Sequence, residues 1–162
     1  MAELPWTMTE PTQDDWGGWI CRAEERDDDG DTSPICGMGR TAEDARRNCE
    51  LAVNRVNAHE ELAASLDECV EELGLLIDAG EAIGIYADLA HDRGKTALEH
   101  FSGQPMKGAE VLQAARFLYA ASSHVITVHE LYKDQDADVR LAKYEQAAER
   151  CKGAVAFALG GE

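Results

Sequence analysis

Basic residues are scarce in this chain. Only 15 Lys plus Arg stand against 32 Asp plus Glu, which leaves a formal net charge of -17 at pH 7. A phosphate backbone or an anionic membrane surface repels such a chain as a whole, which argues against direct nucleic-acid binding and membrane-surface binding. Long apolar runs are missing too. The stretch from Phe117 to His129 is free of Asp, Glu, Lys and Arg, but Ser122, Ser123 and His124 interrupt it, and it is too short to span a bilayer. The opening residues MAELPWTMTEPTQDD contain no basic stretch and no apolar core, so they do not read as a secretory signal.

Catalytic and metal motifs are equally sparse. The cysteines Cys21, Cys36, Cys49, Cys69 and Cys151 are odd in number, scattered and without a C-x-x-C pair, which suits free thiols in a reducing cytosol better than a disulfide framework or a zinc site. The histidines His59, His91, His100, His124 and His129 show neither H-x-x-x-H nor H-E-x-x-H spacing, so no metal is expected. His129 falls on an apolar stripe and reads as a hydrogen-bonded core histidine; the others read as surface groups. The tract Glu25, Asp27, Asp29, Gly30 starts like a calcium loop but has Cys36 where a bidentate Glu belongs, so it reads as a solvated hairpin turn. No G-x-S-x-G or phosphate-binding loop occurs, and Gly37, Met38, Gly39 lacks the third glycine of a dinucleotide fingerprint and reads as a flexible joint. Excess carboxylate pushes thiols away from the reactive thiolate. No enzyme and no cofactor are expected.

What is present is an apolar content of 44% over 162 residues, enough for one folded domain rather than a disordered chain. Residues 1–15 read as a flexible arm that Trp6 can pin locally. Residues 16–39 read as a single β-hairpin; a turn centred between Asp28 and Asp29 puts Cys21 opposite Cys36 and leaves an apolar face around Trp19 and Ile35. Residues 40–162 read as an antiparallel bundle of three to four helices, making the chain mostly α. Thr41 with Asp44 forms a capping-box-like start, followed by Ala45, Cys49, Ala52 and Val56 at helical spacing, with an end near Asn57. Asn57 with Glu60 starts a long second helix on Leu62, Leu66, Cys69, Leu73, Leu76, Gly80, Ile83, Ala87 and Ala90. After a break at Ser102 to Pro105, Val111, Ala115, Leu118, Ser122, Val125, His129 and Tyr132 form a third stripe. A last helix carries Leu141, Tyr144, Ala148, Cys151, Val155 and Ala158. Its small residues, Ala148, Cys151, Ala154 and Ala158, invite close approach by a neighbour, and a homodimer through this C-terminal helix is one expectation.

The strongest anomaly is electrostatic. From His59 to Asp92 there is no Lys or Arg, but there are 10 carboxylates. At 100° per residue, Glu60, Glu61, Asp67, Glu68, Glu71, Glu72 and Asp78 fall away from the Leu62, Leu66, Leu73 seam and form a negative ridge. Like charges at i,i+4 cost roughly 0.2–0.5 kcal/mol per pair, so stability does not select them. A ridge of this kind is a solvated face, or a surface that meets a basic partner or imitates a nucleic-acid backbone.

Trp16 and Trp19, then Ala45, Asn48, Leu51, Val56, Asn57, His59, Leu62 and Leu66, resemble the Trp-containing hairpin and V-N-x-H-x-x-L-x-x-x-L helix of small accessory proteins of tailed bacteriophages and prophages. The resemblance spans about residues 16–73. It implies a phage-like origin and a host bacterial cytoplasm as the setting; several small acidic phage proteins act against bacterial immunity, and the acidic helix face makes a non-enzymatic anti-defence inhibitor of the anti-CRISPR kind the leading expectation. The expected partner is a bacterial host protein with a basic surface, held by the acidic face. Two alternatives stand beside it. One is an oligomeric sponge for a signalling nucleotide gripped by Arg40, Arg46 and Arg47 at a helix N-terminus. The other is a structural or assembly protein of the phage.

Overall fold

The structure, a computed structural model, describes residues 6–25, 34–101, 108–136 and 138–161. Its elements run β1 (Trp6–Met8), β2 (Thr12–Gln13), β3 (Trp19–Glu25), β4 (Ile35–Gly39), α1 (Ala42–Asn57), α2 (His59–Asp78), α3 (Ile85–Phe101), α4 (Gly108–Tyr132) and α5 (Val139–Ala158). The chain is mostly α, as its periodicity predicts, with antiparallel strands at its N-terminal end. It divides into two compact units, Met1–Ala58 with Pro105–Gln113 and Ala156–Glu162, and His59–Gln104 with Ala114–Val155. α1 groups with the sheet, because its apolar stripe is consumed there.

In the first unit, β3 alternates cleanly. Cys21 and Ala23 are buried while Arg22 and Glu24 are exposed, the period-two pattern of a strand with one wet face. β4 lies antiparallel along one edge with Cys21 opposite Gly37 and Arg22 opposite Cys36. The expected Cys21–Cys36 pairing is thus one residue out of register. A one-residue slip sends side chains to opposite faces, and Cys21 is indeed buried while Cys36 is exposed. The turn assigned to Asp28 and Asp29, with the calcium-like tract after Glu25, lies outside the described residues.

The flexible arm and the single hairpin also need correction. β1 pairs with β3 through Trp6 opposite Glu25, and β2 through Thr12 opposite Ile20. A two-stranded hairpin leaves a bare edge of hydrogen-bonding groups on β3; the N-terminal strands cover it and complete a four-stranded sheet. The indole Nε1 of Trp6 donates to Asn57 Oδ1 at 3.2 Å, so the arm is anchored to the end of α1. At its start, Thr41 Oγ1 accepts from the Asp44 backbone N–H at 3.1 Å, the cap that the sequence predicts. Ala45, Cys49, Ala52 and Val56 pack with Cys21, Ala23 and Ile35. Gly37 and Gly39 are no flexible joint: they sit in β4 beneath the backbone of α1.

In the second unit, the long predicted helix ends at Asp78. Gly80 takes φ 73° and Gly84 φ 130°, and the N–H groups of Glu81 and Gly80 return to the Leu76 and Ile77 carbonyls, the Schellman stop that a left-handed glycine permits. The stripe continues in α3 through Ala87 and Ala90, whereas Ile83 between the helices is exposed. This raises the helix count to five among the described residues. Neighbours are antiparallel: Gly94 meets Val70 and Leu66, His100 stacks on Phe117, Tyr144 Oη donates to the Val125 carbonyl, and Lys143 reaches Glu72 while Ser65 meets Cys151. Leu62, Leu66, Leu73, Leu118, Val125 and Val128 are almost fully buried, each contributing roughly 1.5–3 kcal/mol. The small-residue stripe of α5 is buried within the chain itself at Ala148, Cys151, Ala154 and Ala158.

Candidate functional site

The acidic ridge of α2 resolves into two flanks about 100° apart, because the helix places residues 60, 67, 71 and 78 on one line and residues 61, 68 and 72 on another. The second line faces α5 and is matched by cations. Arg150 donates Nε to Glu61 Oε1 at 2.9 Å and Nη1 to Glu68 Oε2 at 2.6 Å, and Lys143 Nζ lies 3.5 Å from Glu72 Oε1. The carboxylates of Glu68 and then Glu61 hold the Arg150 guanidinium more firmly charged. Glu72 is only 15% exposed at its side chain. These three residues therefore serve the bundle. The ridge as a continuous outward-facing surface is corrected by that neutralisation.

The first line stays free of cations. Asp67, Glu71 and Asp78 are exposed and form no ion pair with a Lys or Arg among the described residues. They line one wall of an open groove of about 580 Å³ between α2 and α3, with His91, Lys95 and Glu99 on the other side. Lys95 Nζ is turned along its own helix to Glu99 Oε1 at 3.9 Å. Gly74 forms part of the floor, where a Cβ would come 3.0 Å from His91 Nε2. Glu60 lies off this groove. With Asp67 it borders a second hollow beside His59, whose imidazole is pushed below its ordinary pKa by burial against the opposing pull of Glu60.

Arg40, Arg46 and Arg47 are all exposed. Arg46 lies 4.0 Å from Glu10 and 3.7 Å from Glu50, and the first turn of α1 carries Glu43 and Asp44. Those carboxylates, and a Thr41 side chain already accepting an N–H, work against a phosphate at this N-terminus.

His129 is buried, as its place on the stripe predicts. A hydrogen-bonded core histidine is expected, and its Nδ1 has no hydrogen-bond partner among the described residues. It points at the carboxylates of Glu130 and Glu149. Sequence reasoning missed this grouping, and also Lys95 and His91 as groove residues, because each draws its members from different helices. No helix among the described residues is long and apolar enough to cross a membrane.

No protein-family model matches the chain, and no curated protein and no solved structure matches it either.

Proposed function

We propose that this chain is a non-catalytic binding protein whose α2–α3 groove receives basic side chains of a partner protein. Following the phage resemblance, we take the partner to be a component of bacterial defence, which the bound protein inhibits. One observation carries the reading. Three α2 carboxylates have matching cations in the same unit, while Asp67, Glu71 and Asp78 do not. Asp67 and Glu71 stand at i,i+4, a spacing at which like charges destabilise a helix. Negative charge is thus concentrated where the fold draws no benefit from it, on a concave surface wide enough for lysine or arginine side chains. Complementary charge of this kind speeds encounter and rejects wrong partners.

The test compares two charge-reversed proteins in capture from bacterial lysate with mass spectrometry. Asp67→Lys, Glu71→Lys, Asp78→Lys alters the groove; Glu24→Lys, Glu43→Lys, Asp134→Lys makes the same net-charge change elsewhere. The groove variant loses the partner, the control keeps it, and wild-type capture weakens steeply with salt because exposed charges are screened within about 8 Å at physiological ionic strength. Equal capture by both variants rejects the groove.

A further inference from the structure

We propose that His129, Glu130 and Glu149 form a binding site for a divalent late transition-metal ion of the zinc type, a site in which the Lys152 ammonium group takes the cation's place in the metal-free protein. It is separate from the α2–α3 groove.

The argument begins with a buried imidazole. The His129 side chain is 6% exposed, and its Nδ1 has no hydrogen-bond partner among the described residues. A buried nitrogen left unpaired carries the full cost of its desolvation, so a group that meets it is favoured there. What faces Nδ1 is a pair of carboxylate oxygens, Glu149 Oε1 at 3.7 Å and Glu130 Oε1 at 3.9 Å. All three candidate ligand atoms lie within 4.8 Å of one another. Tetrahedral zinc with ligands at about 2.0–2.2 Å requires ligand atoms roughly 3.3–3.6 Å apart. The two histidine edges are therefore a few tenths of an ångström too open, and the edge between the carboxylate oxygens lies within 4.8 Å.

The same place already holds positive charge. Lys152 Nζ bonds Glu130 Oε1 at 2.6 Å and Glu149 Oε1 at 3.3 Å, bridging the two oxygens that a metal would use. Lys133 holds the other oxygen of Glu130, orienting that carboxylate as outer partners orient metal ligands. Lys152 donates to both carboxylates but leaves Nδ1 of His129 without a hydrogen bond among the described residues. A divalent ion reaches all three groups: it takes the Nδ1 lone pair of the tautomer that carries its proton on Nε2, replaces the ammonium group at Glu130 and Glu149, and releases Lys152 to solvent. One imidazole with two carboxylates favours zinc, cobalt, nickel or copper over magnesium or calcium. Three protein ligands leave a fourth position for water.

The test uses the full-length, untagged protein in a Cys36→Ser background, so that the exposed thiol does not bind metal. Zinc affinity is measured by competition with a chromophoric chelator, and cobalt is added alone to read its visible absorption. The expected result is one equivalent of zinc and a cobalt spectrum of low coordination number without thiolate bands. Glu149→Gln, at a mostly exposed side chain, weakens binding at least tenfold. Lys152→Met tightens it severalfold, because the internal competitor is gone; a lysine with a purely structural role gives no such gain. Affinity unchanged in both variants, or no stoichiometric zinc uptake by the Lys152→Met protein, overturns the proposal.

Discussion

A Cβ on Gly37 would stand 2.2 Å from the backbone nitrogen of Cys49. The α1 backbone therefore rests directly on β4, closer than any other residue type allows, and the seven-residue apolar cluster of the first unit closes around that contact.

Gly37→Ala must push a helix off a strand rather than displace a flexible side chain. Overpacking usually costs 1–3 kcal/mol, and with backbone on both sides we expect a loss of about 3 kcal/mol in urea unfolding. Gly153 in α5 makes the opposite case, since nothing lies within 4 Å of its would-be Cβ. Gly153→Ala gains up to about 1 kcal/mol from helix propensity. Equal effects of the two substitutions would refute the packing account.

These glycines also show what the sequence could and could not reveal. Helical stripes were legible because burial repeats every three to four residues: Ala45, Cys49, Ala52 and Val56 on α1, and Leu118, Ser122, Val125 and His129 on α4, are all buried. The break after Asp78 was hidden, because Gly80 and Gly84 fall within a stripe that resumes at Ala87, and a glycine's φ cannot be read from spacing. The sheet was underestimated since strands of three and two residues carry too little alternation to register. The acidic face was half legible. Spacing located every carboxylate on α2, but Arg150 and Lys143 come from a helix some 70 to 90 positions away in sequence, and only tertiary structure reveals which charges they claim.

Arg150 bridges two carboxylates about two helical turns apart, and its removal leaves Glu61 and Glu68 repelling each other. Arg150→Met keeps the aliphatic stem against the bundle while deleting the charge. Partly exposed pairs are worth about 0.2–1 kcal/mol each, so a loss of about 1 kcal/mol is expected in urea unfolding at low salt, shrinking as salt is added. A loss independent of salt would assign Arg150's role to packing instead.

Thiol reactivity separates the cysteines. Cys36 is exposed, while Cys21, Cys49, Cys69 and Cys151 are buried. Burial, with Cys21 alongside, pushes the Cys49 thiol up to about 12, and Cys151 Sγ donates to Ser122 Oγ at 3.5 Å inside the bundle. Thiols buried out of a reagent's reach do not attack it. Native protein at neutral pH should therefore release one equivalent of chromophore rapidly, and five in denaturant. Cys36→Ser should abolish the fast phase, and two or more fast equivalents in the native state would contradict the burial of the other four cysteines.

Two histidines make stability depend on mild acid. Burial lowers the pKa of His59, outweighing the opposing carboxylate of Glu60; burial and then the facing guanidinium of Arg93 lower that of His124. Their folded-state values lie below the unfolded value of about 6.5, so between the two the unfolded chain holds more protons than the folded one. The stability they confer is complete above about pH 7 and is lost as the pH falls through 6.5 toward the folded-state values. Urea unfolding midpoints should hold steady from about pH 8 to 7 and then decline before the carboxylates begin to protonate near pH 4.5. In His59→Gln, His124→Gln, each glutamine keeps polar groups at the site without a titratable proton, and the decline between about pH 6.5 and 5 should flatten. If the double variant falls as steeply as wild type over that window, the proton uptake belongs to other groups and the burial of these two imidazoles does not govern it.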